Sequence, residues 1–322
     1  METTQVQVQV AKKLTEEHVA FLENVMLKGG PEQRDYKKFN QLVNSLDESG
    51  IEELRDILSP VLSNTETMHG FAYSKPFGYA GDFKIIDMIY ENKVTSDPRY
   101  KNWDIWWNSE YASQAVRNRK DYFINLCTEL EKESEGPKEV LILGSGPATD
   151  IYEYFVKNPD SNLTFDLIDL DENAIEYAKE KNRKFSDKMN FFRINVLRFK
   201  THKHYDLIWS AGLFDYFKEK HFIYLLKKYM PFLDENGEMV IGNFSNYNPT
   251  RKLMEALSGW YLNYRSDYDL YKMAAEAGVE GDQMIVGKEP LGVNLFLRIK
   301  KSKESFIEFR EPISKVAEYS VN

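Results

Sequence analysis

Residues 139–150 read EVLILGSGPATD, and the architecture of the chain can be inferred from this stretch. Val140, Leu141, Ile142 and Leu143 form an unbroken apolar run, the pattern of a strand buried on both faces of a parallel sheet. Gly144-Ser145-Gly146 then breaks the run. Glycines here let the backbone turn tightly and let a ligand come close to the main chain. Thr149 to Phe155 read as the helix that follows, with Asp150 in its first turn. Strand, glycine loop and helix N-terminus make a nucleotide-binding corner, because unpaired N–H groups point outward there. A plain tight turn between a strand and a helix would use the same glycines, so the loop alone does not decide.

The next segment adds to it. Phe165, Asp166, Leu167 and Ile168 form a second short strand that ends in Asp169-Leu170-Asp171. An acid at the end of the second strand, roughly 20 residues on, is where ribose hydroxyls are held. The full dinucleotide fingerprint wants a third glycine, and Thr149 stands in its place. That departure favours a ligand without a pyrophosphate to cradle.

LILGSGPATD, LIDLDENAIEYAK, INVLRF, YDLIWSAGLFDYF and GEMVIGNFS, in this order, resemble the motif series of class I S-adenosylmethionine (SAM)-dependent methyltransferases. The resemblance covers about half the chain, from Glu139 to near Lys300. It implies an α/β fold, a Rossmann-like class I methyltransferase sheet with a helical N-terminal lid domain, and SAM as cofactor. By the resemblance Gly144 and Gly146 pass under the methionine part of SAM and Asp169 holds the ribose. Ser145, Pro147, Leu170, Val196, Ser210 and Gly212 complete the implied cofactor set. Asn195 stands where the family usually has an Asp that accepts from the adenine amino group, and an Asn oxygen can still do so.

A chain of 322 residues can hold one large domain, or a catalytic domain of about 180 residues with a smaller companion. Net charge is −9 and no basic stripe is visible, which disfavours nucleic acid as a partner. The one cysteine, Cys127, permits no disulfide within the chain. The N-terminus lacks the apolar core of a signal peptide, and no run approaches the about 18 apolar residues of a membrane span. A cytoplasmic protein without stable membrane insertion is expected, acting on a small molecule, with room for homo-oligomers.

Along the chain, residues 1–10 alternate Gln and Val, either a short strand or a frayed terminus. Val19, Leu22, Val25 and Met26 suit a helix stopped at Gly29-Gly30-Pro31. Tyr36 to Leu46 and Ile51 to Leu62 read as two more helices, separated by Asp47-Glu48-Ser49-Gly50. No strand pattern occurs before Lys138. The expected organisation is a helical substrate or lid domain over 1–137, a SAM-binding domain over 138–300 and a charged tail over 301–322.

Residues 71–82, FAYSKPFGYAGD, read as a loop that is either a packed connection or part of a lid. Asp82 then supplies an N-terminal charge to the helix behind it. Trp103, Trp106 and Trp107 are either core or an aromatic wall. Ser113 to Glu131 continue as a helix. Its Arg117 and Arg119 either lie on a solvated face or reach inward toward a substrate carboxylate. Strands are expected at 139–143, 164–168, 190–194, 205–210 and 238–243, with two late β-like runs, 284–286 and 293–299.

Ligands of such sheets bind outside the carboxyl ends of the strands. That selects Ser145, Pro147, Asp169, Asn195, Val196, the run Ser210 to Tyr216 and the run Asn243 to Tyr247. Asp215 and Tyr216 could equally cap and pack the next helix. A carboxylate acceptor is ionised at pH 7 and needs no general base, whereas a hydroxyl or amine would use one. None of the five histidines lies in these motifs, which points to a carboxylate acceptor. His202 and His204 have no matched ligand pattern, so no metal is expected.

KPFGYAGDFKIIDMIYEN, AVRNR, GLFDYF and IGNFSNYNPTRKLMEALSGWYLNYR together resemble one subgroup, the bacterial methyltransferases of extracellular-factor 3-hydroxypalmitic acid methyl ester biosynthesis. That match runs from about Phe71 to Gly278. It implies carboxyl O-methylation of a hydroxy fatty acid, with Tyr79, Asp82, Arg117, Tyr216, Asn243, Trp260 and Arg265 as candidate catalytic, substrate-side residues. Three alternatives stay open: N- or O-methylation of another small metabolite, a non-catalytic binding protein on the same scaffold, and an NAD-dependent oxidoreductase. The last would also use a glycine loop and Asp169, but Thr149 and the later motifs disfavour it.

Overall fold

The computed structural model describes residues 13–132, 136–302 and 306. Residues 1–10 and most of 301–322, on which the sequence left the structure open, lie outside the described residues. Helices come first: α1 (Glu16–Leu27), α2 (Tyr36–Ser45), α3 (Glu48–Ile57), α4 (Ser59–Leu62), α5 (Met68–Ser74), α6 (Phe83–Tyr90), α7 (Lys101–Ser109) and α8 (Tyr111–Lys132). Asp47 to Gly50, read as a spacer, instead opens α3, because the Asp47 carboxylate accepts from Gly50 N at 2.9 Å and caps the helix. The helix expected over 51–62 is two. Leu58 leaves helical geometry and Pro60 sits in the first turn of α4, where its missing N–H costs nothing. Phe71 to Ser74 belong to α5, capped by Thr67, so the loop begins only at Lys75.

The rest alternates: β1 (Lys138–Leu143), α9 (Thr149–Lys157), β2 (Leu163–Asp169), α10 (Glu172–Lys181), β3 (Met189–Arg193), β4 (Tyr205–Ser210), α11 (Glu219–Tyr229), β5 (Leu233–Phe244), α12 (Arg251–Ser258), α13 (Asp267–Glu276), β6 (Met284–Lys288) and β7 (Asn294–Lys300). The sheet order is β3-β2-β1-β4-β5-β7-β6. The first five strands pair in parallel, and β7 runs antiparallel between β5 and β6, the expected closing hairpin. Leu143 lies opposite Ile168, so β1 and β2 end together and their loops emerge side by side.

Side chains alternate across the sheet. Leu141, Leu143, Ile208 and Ile241 pack on α11 and α13, while Val140, Ile142, Leu167 and Trp209 pack on α8 and α9. A third cluster joins Leu22, Phe39, Leu54, Trp103 and Trp106 of the early helices to Leu253 and Leu257 of α12. The helical cap is therefore built from two separate parts of the chain. Trp103 and Trp106 are core.

Asp87 of α6 ties this cap to the sheet layer. It is fully buried and accepts from Thr149 Oγ1 at 2.5 Å, from Tyr177 Oη and from Lys181 Nζ. Burial would raise this carboxyl, but the hydrogen bonds from Lys181, Thr149 and Tyr177 outweigh it and hold it below the usual range.

Candidate functional site

A cavity of about 930 Å³ runs along the tips of β1, β2 and β4 and under the 78–83 segment. That is the upper end for a small-molecule pocket. At its base the chain turns through Gly144 (φ 73°), Gly146 (φ 53°) and Ala148 (φ 51°) before α9 starts. A left-handed alanine costs roughly 1–2 kcal/mol, a local strain of the kind that gathers at functional corners. Gly144 N and Ser145 N both donate to Ile168 O, at 2.9 and 3.0 Å. Gly146 N donates to Asp169 Oδ2 at 2.9 Å, and a Cβ on Gly146 would meet nothing within 4 Å. The loop thus presents open backbone to the cavity.

Asp169 Oδ1 accepts from Asp171 N at 3.0 Å. Burial raises this carboxyl above its usual range, with the backbone donors pulling against it. Each oxygen keeps a further lone-pair direction. Asn195 Oδ1 accepts from Leu197 N at 2.8 Å and likewise keeps acceptor capacity. Gly144, Ser145, Gly146, Pro147, Asp169, Leu170, Asn195, Val196 and Gly212 all line the cavity. Ser210 does not. It is the last residue of β4, fully buried, and its hydroxyl donates to Leu143 O at 2.9 Å.

The 75–82 loop is both a packed connection and the roof. Tyr79 Oη donates to Asp171 Oδ2 at 2.8 Å, and Tyr216 Oη donates to Ala80 O at 2.9 Å. Trp260 Nε1 in turn donates to Tyr216 Oη at 2.9 Å. Gly81 is required by this closeness, since a Cβ there would fall 2.3 Å from Tyr216 Oη.

Of the residues expected on the substrate side, the structure brings Tyr79, Tyr216 and Trp260 to the cavity. Asp82, Arg117, Asn243 and Arg265 do not line it. Asp82 caps α6, accepting from Lys84 N and Ile85 N at 2.8 and 2.9 Å. Arg117 turns toward α7 and donates to Asn108 O at 2.5 Å. Arg265 spends its guanidinium on Phe214 O, Phe217 O and Asn243 Oδ1, clamping the turn after β4. Asn243 donates to Phe244 O at 2.9 Å and to Asn263 O at 3.1 Å.

Arg119, Asp150 and Asp215 line the cavity; the sequence left Arg119 and Asp215 open between site and structural roles and read Asp150 only as a first-turn acid. For Arg119 a signal existed. It lies three residues after Val116 and four before Phe123, on the apolar face of α8, whereas Arg117 is one residue off that face. Burial pushes Asp150 up to about 6 and Asp215 up to about 7, against the pull of backbone N–H donors and of Arg119. Asp215 Oδ1 accepts from Phe244 N at 2.7 Å. The cavity therefore pairs a buried cation with a carboxyl poised to exchange a proton near neutrality.

Phe244 and Trp260 also line a second, smaller chamber of about 30 Å³, walled by Trp107, Val116, Met254 and Leu257. His69 edges it, stacked on Trp106 with centroids 5.1 Å apart, and burial holds its imidazole neutral, with a pKa of about 3. Among the described residues no helix is long and apolar enough to cross a membrane. Nor does any group of three or more His, Cys, Asp or Glu there offer a metal site.

Comparison with protein-family models and with curated proteins finds no match. Solved structures do match. A crystal structure described as a "possible exported protein" from Bordetella parapertussis superposes with a TM-score of 0.60 at 13% identity, over 88% of this chain and 96% of that one. The CMeT domain of the citrinin polyketide synthase gives 0.53 at 13% identity, over 88% and 87%. The plantazolicin methyltransferase BpumL, in complex with SAH, gives 0.47 at 16% identity, over 78% and 98%. With the strand order and the antiparallel β7, the first two of these likenesses show a Rossmann-like fold, shared with the CMeT domain. The fold hosts many activities, so the activity has to be argued from the site.

Proposed function

We propose that the chain is a SAM-dependent methyltransferase acting on a small, apolar acceptor. One observation carries the reading: a single cavity runs from the glycine corner to an aromatic wall of Tyr79, Tyr216, Phe244 and Trp260. The residues present fit the cofactor. Gly146 offers open backbone, Asp169 keeps acceptor capacity that would serve the ribose, and Asn195 and Val196 line the same cavity and would hold the adenine. When bound, SAM supplies a methyl group on a sulfonium, a strong electrophile that needs no activation. The chain contributes orientation and exclusion of water. The 75–82 loop, latched at Asp171 and through Tyr216, keeps solvent off the reacting atoms.

The acceptor we propose is the carboxylate of a hydroxy fatty acid, giving a methyl ester. The apolar walls support it, as does the resemblance in the cap segments. A carboxylate needs no base, so Asp215 has no proton to take in this reaction. A second reading, methylation of a hydroxyl or amine, is favoured by Asp215 alone, whose pKa of about 7 suits a general base.

Labelled SAM and a panel of 3-hydroxy acids, fatty alcohols and fatty amines of eight to sixteen carbons, as an order of magnitude for chain length, test both readings. Label in a methyl ester supports the first, and label in an ether or methylamine the second. SAM binding with no turnover on any acceptor identifies a binding protein. Stabilisation by NADH but not by S-adenosylhomocysteine in a thermal-shift assay identifies an oxidoreductase. Asp169→Ala should weaken S-adenosylhomocysteine by about 1–3 kcal/mol, and an unchanged dissociation constant sinks the ribose assignment.

A further inference from the structure

Resting on that reading, we infer that Arg119 is the carboxylate-binding residue of the cavity, receiving the carboxylate of the donor's amino-acid end or that of the acceptor. Arg119 is 5% exposed, yet it lines the large cavity. Its Nη1 lies 2.8 Å from where a Cβ on Gly212 would sit, so the guanidinium presses against the loop after β4, at the tips of the strands.

Its guanidinium hydrogen-bonds the buried Tyr90 hydroxyl, a neutral partner that does not balance its charge. Nε has no hydrogen-bond partner. Among the described residues no Asp or Glu oxygen comes within 4.0 Å of the guanidinium, whereas the adjacent Lys120 pairs with Glu153 at 2.5 Å. A buried guanidinium without a paired anion is costly. Asp150 and Asp215 attract its charge from farther off, and one oxygen of each is already engaged, Asp150 Oδ1 by Ile151 N at 3.0 Å and Asp215 Oδ1 by Phe244 N at 2.7 Å. The other two arginines considered make the contrast plain. Arg117 and Arg265 are engaged by carbonyl oxygens outside the cavity. A planar fork with no paired anion, lining a cavity, matches a carboxylate in bidentate geometry.

Four probes separate the sources: S-adenosylhomocysteine, 5′-methylthioadenosine (the same thioether nucleoside without the amino-acid end), dodecanoic acid and dodecanol. Titration calorimetry compares the wild-type chain with Arg119→Gln and Arg119→Lys. If the donor's carboxylate is held, Arg119→Gln loses at least tenfold on S-adenosylhomocysteine, about 1.4 kcal/mol, and keeps 5′-methylthioadenosine. If the acceptor's carboxylate is held, it loses that much on dodecanoic acid and keeps dodecanol and S-adenosylhomocysteine.

Unchanged binding of all four probes overturns the inference. So does equal loss of all four in both variants, which would mark Arg119 as structural. Equal loss in Arg119→Gln with carboxylate binding recovered in Arg119→Lys supports it. A wild-type chain that binds no S-adenosylhomocysteine yet shows the dodecanoic acid effect refutes the methyltransferase reading and leaves Arg119 in its role. A wild-type chain that binds neither carboxylate refutes both.

Discussion

Asp215→Asn should make the protein more stable at alkaline pH and flatten its pH dependence. The carboxyl is 2% exposed and burial raises its pKa from 3.8 to about 7, net of attraction to Arg119 and Arg265. A raised carboxyl pKa means that the folded state binds more protons than the unfolded one between these values. This group's contribution is then complete below pH 4 and is lost as pH rises through 7. Each unit is worth 1.36 kcal/mol, so about three units bound the loss at about 4 kcal/mol. Local relaxation and water entry bring the expected value to about 2–4 kcal/mol. Asparagine keeps the oxygen that accepts from Phe244 N at 2.7 Å and removes the ionisation. Burial also raises Glu110, to about 7, but urea unfolding of both proteins from pH 4 to 8 reads the difference directly, because Asp150 and Glu110 are common to both chains and cancel. The stability gap should grow from its pH 4 value and level off above pH 7. Parallel curves across the range would refute the argument, showing that Asp215 ionises in the folded chain as it does in the unfolded one.

Asp87→Ala removes the acceptor shared by Thr149, Tyr177 and Lys181, and should cost about 3 kcal/mol in urea unfolding; a loss below about 1 kcal/mol would show the clamp to be idle. Gly81→Ala forces a side chain into a position with φ 70° and 2.3 Å from Tyr216 Oη, so a loss of about 1–3 kcal/mol is expected, and wild-type stability would mean that the roof has slack. Trp260→Ala opens the wall between the two chambers, and with the proposed fatty-acid acceptors relative kcat/KM should move toward longer chains. An unchanged chain-length profile would show that the small chamber is not used.

The alternating layers were legible because they rest on local patterns. The run Val140 to Leu143 has the pattern of a strand buried on both faces, and Gly144 to Gly146 that of a turn after it. The cap was harder. Asp47 to Gly50 looks like a spacer until the Asp47 carboxylate is seen to cap α3, and α12 joins the early helices only through long-range packing. Of the two arginines on α8, the apolar periodicity alone could have chosen Arg119, but the motif resemblance drew attention to Arg117.

Local chemistry in the chain was sufficient for the glycine corner, since turn, strand and helix start are set by residues within about 30 positions of one another. Which distant side chains face the cavity depended on how the layers meet. Arg265 and Asn243 have the residue types of a polar site, yet packing turns them onto backbone carbonyls. Asp215 acquires its raised pKa only from burial among elements far apart in sequence. Burial and electrostatic environment are sums over spatial neighbours, and the linear order of residues does not name those neighbours.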